Sequence, residues 1–158
     1  LHLMDHIDRR WMENVVNCFL IRDPAEVIAS YAAKRDKVTA ADVGFEAQLE
    51  IFRHVEKCAG KIPVVLDARD VLKHPDNMLQ KLCAAVGVEF DEDMLSWPAG
   101  RRDSDGIWGV HWYGAVENST GFAPYKPSDP GLDSDQSELA AKCRPFYDEL
   151  YHHRIQPS

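Results

Sequence analysis

Two short runs interrupt an otherwise helical rhythm. Cys18–Ile21 (CFLI) and the centre of residues 62–68 (IPVVLDA) are continuously apolar, with no alternation of period two. Such runs predict parallel strands buried on both faces. Elsewhere the apolar positions recur every three or four residues. Residues 3–14 predict a short helix, with Leu3, Ile7 and Trp11 four apart on one face. After the first strand, Asp23 can cap a helix, Pro24 suits its first turn, and Glu26 stands three residues after the cap. Val27, Ile28 and Tyr31 give that helix its face. Residues 41–59 predict a longer helix with a stripe of Phe45, Leu49, Phe52 and Val55, stopped by Gly60. Pro75 opens another, with Met78, Leu79, Leu82, Cys83 and Val86 on its face, and Gly87 ends it. A last helix spans roughly 135–153, with Leu139, Cys143, Phe146 and Leu150 aligned. The order strand, helix, helix, strand, helix leaves crossovers long enough for parallel pairing, which is an α/β layout.

Residues 92–133 follow neither period. They are rich in Gly, Pro, Asp and Ser, yet they carry Trp97, Trp108, Trp112 and Tyr113. A solvated linker would not spend three tryptophans, so the segment is expected to wrap the domain or line a site. Trp108 and Trp112 are expected to be buried, with His111 between them held by a hydrogen bond.

The 158 residues suit one domain, and the net charge is −8. That charge argues against a non-specific nucleic-acid binder. It leaves room for one small anion in a local arginine cluster. No apolar run approaches the ~20 residues of a membrane helix, and no signal-peptide pattern opens the chain. The opening LHLMDHIDRRWMEN reads as the middle of something. Cys18, Cys58, Cys83 and Cys143 are far apart in apolar stretches without a CxxC pair. Buried thiols in a reducing, cytoplasmic compartment are expected, with a pair of disulfides as the alternative.

Ligands of a parallel α/β sheet bind beyond the carboxyl ends of the strands, which is where Arg22 falls. Ser30 comes eight residues later, about two helical turns on. Arginine and serine can together clamp one phosphate. Alternatively, Arg22 pairs with Asp23, Glu26 or Asp67 and Ser30 bonds its own backbone. Arg101 and Arg102 stand between Gly100 and Gly106, where a sharp loop could wrap an anion or simply be solvated. His2 and His6 are four apart, but no HExxH accompanies them, and no metal is expected. No GxSxG elbow and no GxxxxGK[ST] loop occurs.

FLIRDPAEVIASYA resembles the segment with which sulfotransferases hold the 3'-phosphate of the donor PAPS (3'-phosphoadenosine 5'-phosphosulfate). The matching residues are Arg22 and Ser30. VVLDARDVLKHPDNMLQKLCAAVGV fits the family's next strand and helix, with Asp67 at the acidic place, and GRRDSDGIW fits its basic loop. HWY and STGF resemble atypical bacterial and plant members, and RPFYDEL at 144–150 resembles the family's closing helix. The resemblance implies a three-layer, P-loop-type parallel sheet flanked by helices and incomplete at its amino end. Residues 1–158 would then be the carboxyl-terminal part of a single α/β domain. The loop for the donor's 5' end would lie upstream, and the open side of the sheet would show apolar area or be covered by another chain. It further implies His2, with His6 as runner-up, as the catalytic base, and Arg22, Ser30, Arg101, Arg102, Gly106 and Trp108 as nucleotide-binding residues. The implied activity is PAPS-dependent sulfuryl transfer to a hydroxyl or amine of a small molecule, without nucleic acid or membrane, a homo-oligomer staying open. The alternatives are a non-catalytic relative that binds a nucleotide or a protein, and a small-molecule or nucleotide kinase of related fold.

Overall fold

The computed structural model describes residues 7–102, 106, 114–127 and 129–158. Strands β1 (Cys18–Ile21) and β2 (Val64–Asp67) pair in parallel, from Cys18 opposite Val64 to Ile21 opposite Asp67. Helices α1 (Pro24–Ala32), α2 (Ala40–Val43) and α3 (Phe45–Ala59) make the crossover. Their ends follow local chemistry. The Asp23 carboxylate accepts from the Ala25 N–H at 2.9 Å, and Pro24 occupies the first turn of α1. Thr39 and Asp42 form a capping box on α2. Gly60, at φ 64°, turns the chain out of α3 in the left-handed region that favours glycine. Helices α4 (Ala68–Lys73) and α5 (Pro75–Val86) follow β2, then α6 (Gly114–Glu117) and α7 (Ser134–His152).

The core lies on one face of the strand pair. Phe19 and Ile21 of β1 meet Phe45, Leu49, Phe52 and Val55 of α3 and Cys143, Tyr147 and Leu150 of α7. Arg53 of α3 and Glu149 of α7 tie the two helices with paired bonds of 3.0 and 2.7 Å. After α7 the chain runs along β2, where Val65 bridges Arg154 in parallel and the Ile155 N–H donates to the Val65 carbonyl at 2.8 Å. On the other face Leu66 is buried, and α4 and α5 both touch β2.

The three-layer P-loop-type sheet is overturned. The described chain is mostly helical, 55% helix against 8% strand, around a two-stranded, unclosed sheet. Helical periodicity governs outside the two apolar runs and the irregular segment 92–133, and two strands cannot separate two full helical layers. Strand β1 also departs from two-faced burial. Phe19 and Ile21 are buried, while Cys18 is exposed and Leu20 is 61% exposed. Its continuous apolar run therefore behaves as a half-covered strand. Apolar surface also lies open at Val15, Val16 and Ile62, which line a cavity of about 540 Å³ at the amino ends of the strands.

Two smaller expectations also change. Within residues 3–14 the described part is a 3-10 helix, Arg10–Asn14, anchored by buried Met12. Ile7 and Trp11 are exposed, so the four-residue spacing there does not mark a core face. Of the cysteines, Cys83 and Cys143 are buried but Cys18 and Cys58 are exposed, and all four are free. Partial burial pushes the Cys18 thiol above its usual pKa. A thiol-reagent titration of the native protein is therefore expected to modify Cys58 fastest and Cys18 more slowly. Cys83 and Cys143 should react only on unfolding. Equal rates at all four would contradict this packing.

Candidate functional site

The carboxyl ends of the strands open on a small cavity of about 40 Å³. Arg22 is the first residue past β1, and its side chain is 49% exposed. Its Nε donates to Glu26 Oε2 at 2.8 Å, one helical turn on. The other Glu26 oxygen accepts from the Tyr125 hydroxyl at 2.9 Å, across 99 residues of chain. That bond to a carboxylate raises the Tyr125 phenol above its ordinary value. Among the described residues, Arg22 makes its contact through Nε, which leaves the two terminal nitrogens for an incoming group.

Asp67 forms the floor at the end of β2 and is 1% exposed. It accepts from the Arg69 backbone N–H at 2.8 Å, capping α4, and from the Tyr147 hydroxyl at 2.6 Å. Burial first, and then this carboxylate, push the Tyr147 phenol well above its ordinary value. Arg69 lines the same cavity, and its Nη2 donates to the Tyr151 hydroxyl at 2.8 Å. Behind it, Arg154 pairs with Asp70 at 2.9 Å and lies 3.6 Å from the centre of the Tyr151 ring. Asp23 is held from α7 by Arg144 Nη2, at 3.1 and 2.9 Å from its two oxygens.

The structure separates Arg22 from Ser30. Ser30 lines another cavity, of about 90 Å³, with Tyr31, Lys34 and Arg35. The Arg22 guanidinium turns to Glu26 in the first turn of α1, four residues short of Ser30. Arg101, Arg102 and Gly106 are exposed. The neck of their loop is pinned. The Trp97 indole N–H donates to Ser119 Oγ at 2.9 Å, its ring stands edge-on to Phe122, and the Gly100 N–H donates to the Glu117 carbonyl at 2.7 Å. Gly121 bridges Ser96, and a Cβ there would come within 3.1 Å of the Leu95 carbonyl. The STGF string thus serves as an anchor for the chain leading into the arginine pair. His2, His6, Trp108, His111 and Trp112 lie outside the described residues.

Arg69, Tyr125 and Tyr147 were not anticipated from the sequence. Arg69 carried a usable signal, since it lies two residues past a strand end. Tyr125 and Tyr147 carried none, because their partners are distant in sequence. Among the described residues no group of three His, Cys, Asp or Glu could hold a metal ion, and no helix is long and apolar enough to cross a membrane.

Comparison with known proteins gives the arrangement its context. Two Arabidopsis thaliana proteins, branched-chain-amino-acid aminotransferase-like proteins 1 and 2, are 29% and 28% identical to the chain over 134 residues. Those residues are 85% of this chain and 24% of each relative, so the chain spans about a quarter of their length. No solved structure matches. A family defined as the sulfotransferase domain matches residues 1–154, nearly the whole chain including the Arg22 turn and the closing helix, and the chain belongs to that family.

Proposed function

We propose that the chain forms the part of a PAPS-dependent sulfotransferase that holds the 3'-phosphate of the donor. Arg22 is the principal ligand, and Ser30, which lines a second cavity two turns along α1, is assigned the accompanying hydroxyl, which requires the phosphate to reach past the Arg22 cavity. Arg101, Arg102, Gly106 and Trp108 are assigned as the further nucleotide-binding residues. His2, with His6 as second choice, is the base that takes a proton from the acceptor, a hydroxyl or amine of a small molecule. The donor supplies the sulfuryl group, and the chain's own cations orient it and balance its charge. The observation that carries this reading is Arg22. It stands at the carboxyl end of a parallel strand, half exposed, and its bond to Glu26 uses Nε rather than a terminal nitrogen. A phosphate fits that donor set, because guanidinium presents paired N–H groups to an oxyanion. Four free cysteines, two of them exposed, suit work in the reducing cytoplasm.

Calorimetric titration with adenosine 3',5'-bisphosphate and with AMP tests the assignment. The bisphosphate should bind more tightly, and Arg22→Ala should weaken it by about 1.5–3 kcal/mol, the range of a charged hydrogen bond. The half-exposed side chain points to the lower part of that range. Ser30→Ala should cost less. Equal affinity in wild type and R22A, or no preference for the 3'-phosphate, would remove the basis for the assignment.

A further inference from the structure

A second arginine leaves the same end of the sheet. Arg22 is one residue past β1 and Arg69 is two residues past β2, and the register sets Ile21 opposite Asp67. Both side chains therefore emerge at neighbouring strand ends, and both line the 40 Å³ cavity. That volume is little more than the ~30 Å³ share of one water in the liquid. It takes about one oxygen of a tetrahedral anion, the rest of the group lying at its mouth, and excludes a base ring.

Arg69 is charged and oriented, and its two ion pairs, with Asp67 and Asp70, are long ones. Its Nη2 donates to a neutral acceptor, the Tyr151 hydroxyl. The carboxylates of Asp67 and Asp70 stand 4.0 and 3.8 Å from its Nε, beyond hydrogen-bond length. Both are satisfied elsewhere, Asp67 by Tyr147 and the Arg69 backbone, Asp70 by Arg154. The side chain is 38% exposed, so it is open to an incoming group. The acidic groups on the cavity wall, Asp23, Glu26 and Asp67, are each engaged by Arg144, by Arg22 with Tyr125, and by Tyr147.

We propose that Arg69 is a second cationic ligand of the phosphate that Arg22 binds, so that two guanidiniums from adjacent strand ends grip one phosphate monoester dianion. This rests on the reading of Arg22 given above. It adds a binding residue on the β2 side of the sheet, where the sequence motif places none.

The test is calorimetry with adenosine 3',5'-bisphosphate and AMP on wild type, R69Q, R69K, R22A and the R22A/R69Q pair, with thermal unfolding of each. Arg69→Gln removes the charge and keeps the aliphatic stem, and because its amide ends near the place of Nε, thermal unfolding reads the loss of the Tyr151 bond separately. R69Q should weaken the bisphosphate about tenfold and AMP less than about twofold, with Arg69→Lys between it and wild type. The paired variant should lose less than the product of the single losses, because both residues act on one ligand. A merely structural role would lower the unfolding temperature and weaken both nucleotides alike, which overturns the proposal. So does R69Q binding the bisphosphate as wild type does while R22A loses it, and the Arg22 reading then survives alone. A 3'-specific loss in R69Q with none in R22A overturns the shared seat and the Arg22 reading together, as does a wild type that binds neither nucleotide.

Discussion

Phe52→Ala is expected to lower the unfolding free energy by about 3–5 kcal/mol, the range for removing a buried aromatic ring. Phe52 is 1% exposed. Its ring meets Phe19 of β1 edge-on at 5.5 Å and His153, just past α7, at 5.2 Å. One side chain therefore joins the strand pair, α3 and the end of α7. Truncation opens a cavity where three elements converge, and none of them can close it without leaving the others. Backbone ties resist collapse as well, since Ile155 is hydrogen-bonded to Val65 just beyond His153. The control is Ile62→Ala, at a position 56% exposed, which should shift stability by no more than about 0.5 kcal/mol. Urea unfolding checks both. F52A should move the midpoint with little change in slope. A loss under about 1 kcal/mol would mean that Phe52 is not the junction of the core.

What the sequence revealed, and what it did not, follows from the range of each interaction. Helix ends were legible because their causes are local. Asp23 with Pro24, Gly60 and Gly87 act within a turn of themselves, and each ends or starts a helix as read. The two strands and their parallel pairing were legible because a parallel pair needs a long crossover and the helices between the runs supply one. The layering was not legible. A continuous apolar run is buried on both faces only when neighbours cover both, and nothing inside CFLI states what covers Cys18 and Leu20. The Arg22–Glu26 pair was within reach of spacing, being four residues apart across the start of α1. The contacts of Glu26 with Tyr125 and of Asp67 with Tyr147 join residues 99 and 80 apart, and no local pattern signals them. The motif located the carboxyl end of β1, and the fold supplied what surrounds it.

Asp67→Ala should cost the fold about 1–3 kcal/mol for each of the two donors it leaves without an acceptor, near neutral pH. The carboxylate is fully buried and serves two donors on different elements, the Tyr147 hydroxyl of α7 and the first-turn N–H of α4. Alanine orphans both, and the phenol sits where water cannot replace the lost acceptor. Asp67→Asn keeps an acceptor and should cost less. Tyr147→Phe should cost about 1.5–3 kcal/mol, because it leaves the buried carboxylate one donor short. The double replacement should cost less than the two single losses added together. The pair also has a signature in pH. Burial, aided by the bond to Asp67, raises the Tyr147 phenol above the usual ~10, so the folded protein keeps a proton that the unfolded chain releases. The resulting stability is complete below about pH 10 and is lost as pH rises beyond it. Wild type should thus lose stability more steeply than Y147F above about pH 10, while the gap between them stays level from about pH 6 to 9. The Tyr125 phenol is also raised, but it is common to both proteins and cancels in the comparison. Parallel stability curves through the alkaline range would show that the Tyr147 proton is not held by the fold.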